Sequence, residues 1–173
     1  RSGFRSDGTL MFQDIESNYL IGAYADIASR VVSKASYVAA GPYRVPNVRI
    51  VARALFSHTP PSTAFRGFGA PQENWAVESQ LDAAARKLGM DRVAIRLKNL
   101  PKRGEVFMPD DPPADGDWAE CLRKAAEAVG WDTLLPEGRG RGIAMGLKAG
   151  PTTAASYSIV RLHIDGSVTV YSG

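Results

Sequence analysis

Residues 62–72, STAFRGFGAPQ, connect a segment with the composition of a strand to a segment with the periodicity of a helix. The two glycines of this stretch tolerate backbone conformations that other residues avoid, and they let a bound group come close to the main chain. Arg66 places a fixed positive charge between Phe65 and Phe68. Two aromatic rings in a connecting loop are costly unless they pack on something. We therefore predict that this loop faces a ligand.

Chemistry alone leaves two roles open for the loop. Its glycine-flanked N–H groups, beside Arg66 and just before a helix N-terminus, are suited to hold an anion. The alternative is a helix entry that buries Phe65 and Phe68 in the core. A nucleotide-binding P-loop is disfavoured because no Gly-Lys-Ser/Thr follows the glycines, and the Rossmann pattern GxGxxG is absent.

The segments before the loop predict β-structure. An Asp-Gly pair at residues 7–8 is the usual signal for a hairpin, and residues 10–24 are predicted to be extended. Residues 25–40 are rich in Ala, Val and Ser, and they leave helix and irregular coil open. Two prolines then favour extended backbone, and residues 45–56 predict a strand.

The segments after the loop predict three helices. The first begins near Pro71, where the missing N–H would be unpaired anyway, and ends at Gly89. The second follows the N-cap residue Asp91, and the third opens at Asp117, which is predicted to form a capping box with Glu120. The first helix carries a stripe of apolar residues at helical spacing, namely Val77, Leu81, Ala84, Ala85 and Leu88.

The C-terminal part of the chain returns to β-structure. Residues 141–148 predict a short strand. Val160, Leu162 and Ile164 alternate with polar residues, which predicts a half-buried strand, and an Asp-Gly turn leads into a last strand over residues 168–171. The order strand, strand, helices, strand, strand indicates an α+β fold, with a mixed sheet, hairpins near both ends and about three helices packed on the sheet.

Composition narrows the class of protein. The chain has 173 residues, 45% hydrophobic and 23% charged, which suits one globular domain with possible sub-lobes 1–70 and 71–173. The net charge of +3 gives little support for nucleic-acid binding, and no apolar run approaches the length of about 20 residues that spans a bilayer. Because Cys121 is the single cysteine, an internal disulfide framework and a Cys-ligated iron–sulfur cluster within this chain are excluded. Its side chain is predicted to be a small buried hydrophobe.

Residues 64–69 (AFRGFG), followed by APQ at 70–72, resemble the signature loop of the molybdenum hydroxylases, the xanthine dehydrogenase and aldehyde oxidoreductase family. The match lies in the large, molybdopterin-binding subunit of that family. Weaker similarities flank the loop at residues 41–48 and at residues 165–170 (DGSVTV). The resemblance implies an internal piece of a molybdopterin-binding domain, either an excised fragment or a natural split subunit.

The resemblance also implies roles for the residues of the loop. Phe65, Arg66 and Gly67 would border the molybdenum-bearing pterin cofactor. Phe68 would lie against the face of a planar or aromatic substrate. Because the pterin dithiolene holds the metal, no direct protein ligand of the metal is expected in this chain.

Two other positions follow from the resemblance. A segment before the C-terminal hairpin carries substrate-facing side chains in the family, which points to Thr152 and Thr153, with a plain turn as the alternative. Lys34 occupies roughly the place where purine-oxidising members carry a substrate-orienting arginine. A solvated lysine is the simpler prediction, because lysine does not replace a bidentate guanidinium.

The family's chemistry requires groups that this chain lacks. No carboxylate matches the general-base glutamate, so no catalytic residue is expected here, and the isolated chain should be inactive. The complete enzyme would hydroxylate an aldehyde or an N-heteroaromatic carbon using water, with iron–sulfur clusters and in some cases FAD on other domains or subunits. Its partners would be the remaining regions of the enzyme and a small-molecule substrate, in the cytoplasm or, alternatively, the periplasm. The competing prediction is a non-enzymatic α+β interaction domain whose aromatic-rich loop contacts another protein.

Overall fold

A computed structural model describes residues 1–108, 111–148 and 155–172. In chain order the elements are β1 (Ser2–Phe4), β2 (Leu10–Gly22), α1 (Ala28–Tyr37), β3 (Asn47–Phe56), α2 (Ala70–Leu88), α3 (Arg92–Asn99), α4 (Trp118–Ala128), β4 (Ser158–Leu162) and β5 (Val168–Ser172). The α+β prediction is confirmed. The described part of the chain holds four helices rather than about three, because the segment that left helix and coil open forms α1.

The N-terminal strands form a mixed sheet with the order β1-β2-β3. Strands β1 and β2 are antiparallel and meet at the predicted Asp-Gly turn, where the Asp7 carboxylate accepts a hydrogen bond from the Thr9 N–H at 3.0 Å. Strands β2 and β3 are parallel, with Phe12 opposite Asn47 at the start of the pairing. A parallel pair needs a crossover connection, and α1 lies in that connection. Its buried residues Ala28, Val32 and Ala35 follow helical spacing.

Helix α2 supplies the centre of the hydrophobic core. Val77, Leu81 and Ala85 are buried there, which confirms the predicted stripe, and Ala84 and Leu88 pack at the margin. The other members of the cluster are Leu10, Tyr43, Val93, Ile95, Leu100, Leu122 and Ala126. Helices α2, α3 and α4 and the segments around β2 therefore share one core. None of the described helices is both long enough and apolar enough to cross a bilayer.

The helix ends are set by local chemistry. Gly89 ends α2 in the left-handed conformation with φ of 65°, as predicted. Asp91 accepts hydrogen bonds at 2.8 Å from two N–H groups in the first turn of α3. Asp117 accepts one from the N–H of Glu120 at 2.8 Å. The Glu120 carboxylate pairs with Lys124 at 2.7 Å, so only one half of the predicted capping box forms.

Two predictions for the C-terminal part were wrong. Residues 141–148 contain no strand, because their backbone bonds to side chains of α2 instead of to a sheet. Strands β4 and β5 pair as an antiparallel hairpin, but every residue of β4 is exposed, so the predicted half-burial of Val160 and Leu162 is not observed. Ile164 lies beyond the end of β4 and is also exposed.

The prediction for the single cysteine was also wrong. Cys121 lies on α4 and is exposed. The residues of α4 that face the core are Leu122 and Ala126, four positions apart. Cys121 is offset from this pair by one residue, which rotates its side chain away from the buried face.

Candidate cofactor-binding site

The loop between β3 and α2 is anchored at its base. The N–H of Ser57 donates to the Gly22 carbonyl at 3.0 Å, and the N–H of Ser62 donates to the Ile21 carbonyl at 3.0 Å. A side chain at Gly22 would lie 2.4 Å from the Pro60 carbonyl oxygen, so the loop crosses directly over the end of β2. This anchoring leaves residues 63–69 to project beyond the sheet before the chain enters α2.

The loop ends in three successive residues with positive φ. Gly67, Phe68 and Gly69 have φ of 100°, 55° and 83°. Glycine adopts this conformation freely, but a bulky residue such as phenylalanine does so rarely, and such outliers concentrate at functional sites. The turn is closed by the Phe68 N–H, which donates to the Phe65 carbonyl at 2.8 Å, and by the Ala70 N–H, which donates to the Gly67 carbonyl at 3.1 Å.

The side chains of the loop are presented outward. Phe65 is 87% exposed, and Arg66 is exposed, whereas Phe68 is half-buried. The helix-entry alternative, with both rings in the core, is therefore not observed. Within residues 1–108, 111–148 and 155–172, the Arg66 guanidinium forms no hydrogen bond or ion pair. The backbone N–H groups of Arg66 and Gly67 likewise meet no acceptor in the described part of the chain. A fixed cation and free donors at the entrance to a helix suit an anionic or acceptor-rich ligand.

A buried carboxyl group lies behind the loop. Glu73, in the first turn of α2, is 4% exposed and accepts a hydrogen bond from the Tyr19 hydroxyl on β2. Burial and the neighbouring Glu73 carboxylate raise the pKa of Tyr19 well above its ordinary value. The sequence pattern did not predict this pair. The available signal was the position of Glu73, four residues before Val77 on the buried stripe.

A cleft of about 540 Å³ opens between α1, the loop that precedes α4, the start of α4 and the end of the 141–148 segment. Its lining includes Lys34, Phe107, Trp118, Leu147 and Lys148. Lys34 is half-buried and lines this open cleft. Thr152 and Thr153 lie outside the described residues, so their predicted contact with substrate stays a prediction.

A buried ionic network joins α2 to α3. Arg96, 1% exposed, donates from Nε to the Glu78 carboxylate at 2.7 Å and from a terminal nitrogen to Asp82 at 2.8 Å. Tyr43 donates its hydroxyl to the same Glu78 carboxylate. Burial and the Glu78 charge raise the pKa of Tyr43, so its hydroxyl remains a donor. Burial opposes ionisation of Arg96, but the two carboxylates outweigh it and raise the pKa of Arg96.

Comparisons with known proteins identify the class to which this fold and loop belong. The family model described as "Molybdopterin cofactor-binding domain" matches residues 1–100. The chain belongs to this family, and specifically to the molybdopterin-binding domains of the aldehyde oxidoreductases and xanthine dehydrogenases. The match includes the whole loop and helices α1, α2 and α3.

Two curated relatives show the extent of the similarity. The chain is 40% identical over 104 residues to the nicotinate dehydrogenase large molybdopterin subunit of Eubacterium barkeri, covering 60% of this chain and 24% of that protein. It is 30% identical over 182 residues to the aldehyde oxidoreductase of Megalodesulfovibrio gigas, covering 97% of this chain and 20% of that protein. The chain therefore spans between a fifth and a quarter of the length of these relatives.

Solved structures agree with the fold. The aldehyde oxidoreductase from Desulfovibrio desulfuricans superposes with a TM-score of 0.77 at 25% identity, over 95% of this chain and 19% of that one. Quinoline 2-oxidoreductase from Pseudomonas putida superposes with a TM-score of 0.70 at 26% identity, over 76% of this chain and 17% of that one.

The residues of the loop fit a molybdopterin cofactor. Such a cofactor carries a phosphate and hydrogen-bonding pterin edges, and these groups are complementary to a free guanidinium and to unpaired N–H donors. A side chain at Gly67 would lie 2.5 Å from the Pro71 ring, so only glycine permits this turn to form in front of α2. The described residues contain no cluster of three or more His, Cys, Asp or Glu side chains arranged to hold a metal.

Proposed function

We propose that this chain forms part of the cofactor site of an oxidoreductase that hydroxylates aldehydes or N-heteroaromatic carbons, with water as the source of oxygen. The observation that carries the proposal is the loop at residues 65–69, which presents a free arginine and an exposed phenylalanine on a left-handed turn. Family membership supports it, as do the names of relatives such as the nicotinate dehydrogenase and the aldehyde oxidoreductase.

Each residue of the loop has a separate role in this proposal. Arg66 and the N–H groups of Arg66 and Gly67 hold the cofactor by charge and hydrogen bonds. Phe65 covers an apolar edge of the cofactor, since its ring is otherwise left in water. Phe68, held half-buried by the positive-φ turn, forms a wall against a planar substrate. The bound cofactor supplies the metal centre at which the substrate carbon is oxidised.

The remaining parts of the reaction belong to other regions or subunits. The general base, the iron–sulfur clusters and, where present, FAD lie outside this chain in the proposal. Its partners are those regions and a small organic substrate, and the cytoplasm is the proposed location. Thr152 and Thr153 are proposed to contact the substrate. The 173-residue chain alone is expected to show no turnover.

The test uses Arg66→Ala and Phe68→Ala in the complete enzyme. Arg66→Ala is expected to lower the molybdenum and pterin content per protein several-fold, measured by elemental analysis and by pterin fluorescence after release. Phe68→Ala is expected to leave the cofactor content unchanged while kcat/KM falls about tenfold or more, the factor that corresponds to a lost contact of roughly 1.4 kcal/mol.

Two control substitutions separate site effects from general ones. Arg86→Ala removes an exposed arginine at the far end of α2, and Phe56→Ala removes an exposed phenylalanine at the end of β3. Both controls should retain cofactor and activity. Full cofactor content in Arg66→Ala together with wild-type kinetics in Phe68→Ala would contradict the proposed roles.

A further inference from the structure

The extended segment at residues 143–148 runs along α2 and is bonded to it through side chains. The N–H of Met145 donates to a carboxylate oxygen of Glu78 at 2.9 Å. The Asn74 amide makes two bonds to the backbone of Leu147, donating to its carbonyl at 3.1 Å and accepting from its N–H at 3.3 Å. In this way Asn74 pairs with the extended chain much as a neighbouring strand would.

The two contact residues on α2 have nearly the same spacing as the two residues that they bond in the 143–148 segment. Asn74 and Glu78 are four residues apart on α2, which places them about 6 Å apart along the helix axis. Met145 and Leu147 are two residues apart in extended chain, a separation of roughly 6.6 Å, and face the same side. The contacts Met145 to Glu78 and Leu147 to Asn74 also define the direction: the segment runs antiparallel to α2, toward its N-terminus.

The helix side of this contact is rigid. Glu78 is 7% exposed and is held by Arg96 at 2.7 Å and by the Tyr43 hydroxyl. Its carboxylate therefore cannot follow the segment if the segment moves. Asn74 is only half-buried and bonds through its side chain to Leu147 alone among the described residues, so its role is more easily isolated by substitution.

The same helix serves two parts of the site. The loop at residues 65–69 leads directly into its first turn, which begins at Ala70. Farther along, α2 holds Leu147, which together with Lys148 lines the cleft that also contains Lys34. The position of this cleft wall relative to the loop is thus determined by the length of helix between Ala70 and Asn74.

We propose that Asn74 and Glu78 are positioning residues. They hold the 143–148 segment at a fixed position along α2 and so set the position of one wall of the Lys34 cleft relative to the loop at residues 65–69. The inference rests on the proposed function, because it takes the Lys34 cleft to be the path by which the substrate reaches the cofactor. Neither residue touches the cofactor or the substrate in this account.

The test uses Asn74→Ala and the isosteric Asn74→Asp in the complete enzyme. The aspartate keeps the shape of the side chain but sets a carboxylate against the Leu147 carbonyl, so it removes the donated bond without creating a cavity. Ser79→Ala, an exposed change on the same helix, is the control. Hydrogen exchange of peptides covering residues 143–148, the KM and kcat of turnover, and molybdenum content are measured for each.

Asn74→Ala is expected to exchange the Leu147 amide roughly tenfold faster, the factor that corresponds to one hydrogen bond. Asn74→Asp should accelerate this exchange less, because its carboxylate can still accept from the Leu147 N–H. Exchange in the core of α2 and the molybdenum content should not change. KM should rise several-fold with a smaller effect on kcat, because the wall rather than the reacting centre is displaced. The control should match the wild type in every measurement.

Two results would overturn the inference. Unchanged exchange at residues 143–148 in Asn74→Ala would show that the bonds do not hold the segment. Faster exchange with unchanged KM and kcat would show that they serve stability alone. Glu78→Gln provides a second variant, expected to accelerate exchange at Met145. Because it also removes the charge that pairs with Arg96, exchange in α3 is measured beside it. A wild-type enzyme without molybdenum or pterin would instead refute the proposed function, so the two failures are distinguishable.

Discussion

At the scale of single residues, Phe68 shows most clearly how local backbone and function are linked. It adopts φ of 55° between two glycines that also have positive φ. A non-glycine residue in this region costs on the order of 1–2 kcal/mol, so its surroundings must hold it there. In the proposed function this turn places the Phe68 ring as a wall against the substrate, a surface that a glycine would not provide.

Asp91 is a residue whose charge contributes to stability. Partial burial opposes its ionisation, but the indole N–H of Trp131, at 2.7 Å, and the N–H groups of Val93 and Ala94 stabilise the carboxylate. Together these donors hold the pKa of Asp91 below its ordinary value. A lowered folded-state pKa means that the stabilisation is complete above the unfolded-state pKa of about 3.9 and is lost as pH falls through the folded-state value.

The pH dependence of stability tests this account of Asp91. Asp91→Ala should lower the free energy of unfolding at pH 7 by about 1 kcal/mol through loss of the N-cap. Asp91→Asn should show a shallower decline in that free energy below pH ~4 than the wild type, because it has no proton to gain. Denaturant titrations between pH ~2.5 and ~7 measure both effects. Asp132→Asn, at an exposed aspartate nearby, is the control, and an identical acid decline in Asp91→Asn would refute the assignment.

At the scale of elements, the contact of α1 with the N-terminus of α2 determines the position of the loop at residues 65–69. Gly69 has φ of 83°, and a side chain there would lie 2.6 Å from the Ala35 side chain on α1. Glycine is required at this position for two reasons, the backbone conformation and the space. The crossover helix therefore does more than connect β2 to β3, since it also supports the turn that carries the proposed cofactor residues.

A matched pair of glycine substitutions separates these two reasons. Gly138 has φ of 76°, but a side chain there would meet nothing within 4 Å. Gly138→Ala should cost roughly 1–2 kcal/mol from backbone conformation alone. Gly69→Ala should cost roughly 1–3 kcal/mol more, because the methyl group overlaps Ala35. Thermal and denaturant unfolding measure the difference, and equal costs for the two variants would contradict the close packing of α1 against the loop.

The helices show how much of an element is determined locally. The caps at Gly89, Asp91 and Asp117 and the apolar stripe of α2 were predicted from sequence and are confirmed. Each depends on residues within about four positions of one another, so local sequence carries the information. The segment at 141–148 was predicted as a strand and is extended without a sheet. Its alternating pattern indicates extended chain, but the partner, a pair of side chains on α2, lies about 70 residues away.

At the scale of the whole molecule, the β4–β5 hairpin stands out by its exposed apolar surface. Ile159, Val160 and Val170 are 68%, 65% and 60% exposed, and Val160 lies opposite Val170 in the register. A two-stranded hairpin is marginally stable on its own, and exposed apolar patches of this kind mark contact surfaces. The hairpin is consistent with the proposed place of the chain among other regions of the enzyme. The division into sub-lobes 1–70 and 71–173 stays a prediction.

The exposed hairpin has a measurable consequence for the 173-residue chain alone. The chain should self-associate as its concentration rises, detected by sedimentation velocity, because burial of apolar surface drives association. Val160→Lys should reduce this association by adding a charge to an exposed strand. Arg161→Lys, which keeps the charge on the neighbouring position, should leave it unchanged. A wild-type chain that remains monomeric at high concentration would contradict a role for this surface in contacts.

The sequence by itself determined the α+β order, the helix ends and the chemistry of the loop at residues 65–69, since these depend on residue types close together in the chain. Only the tertiary structure decided which rings of that loop stay in solvent, that Glu78 and Arg96 meet in the core, and that the 143–148 segment lies against α2. These outcomes require residues distant in sequence to come together, and burial and hydrogen bonding across the fold select among arrangements that local patterns leave equivalent.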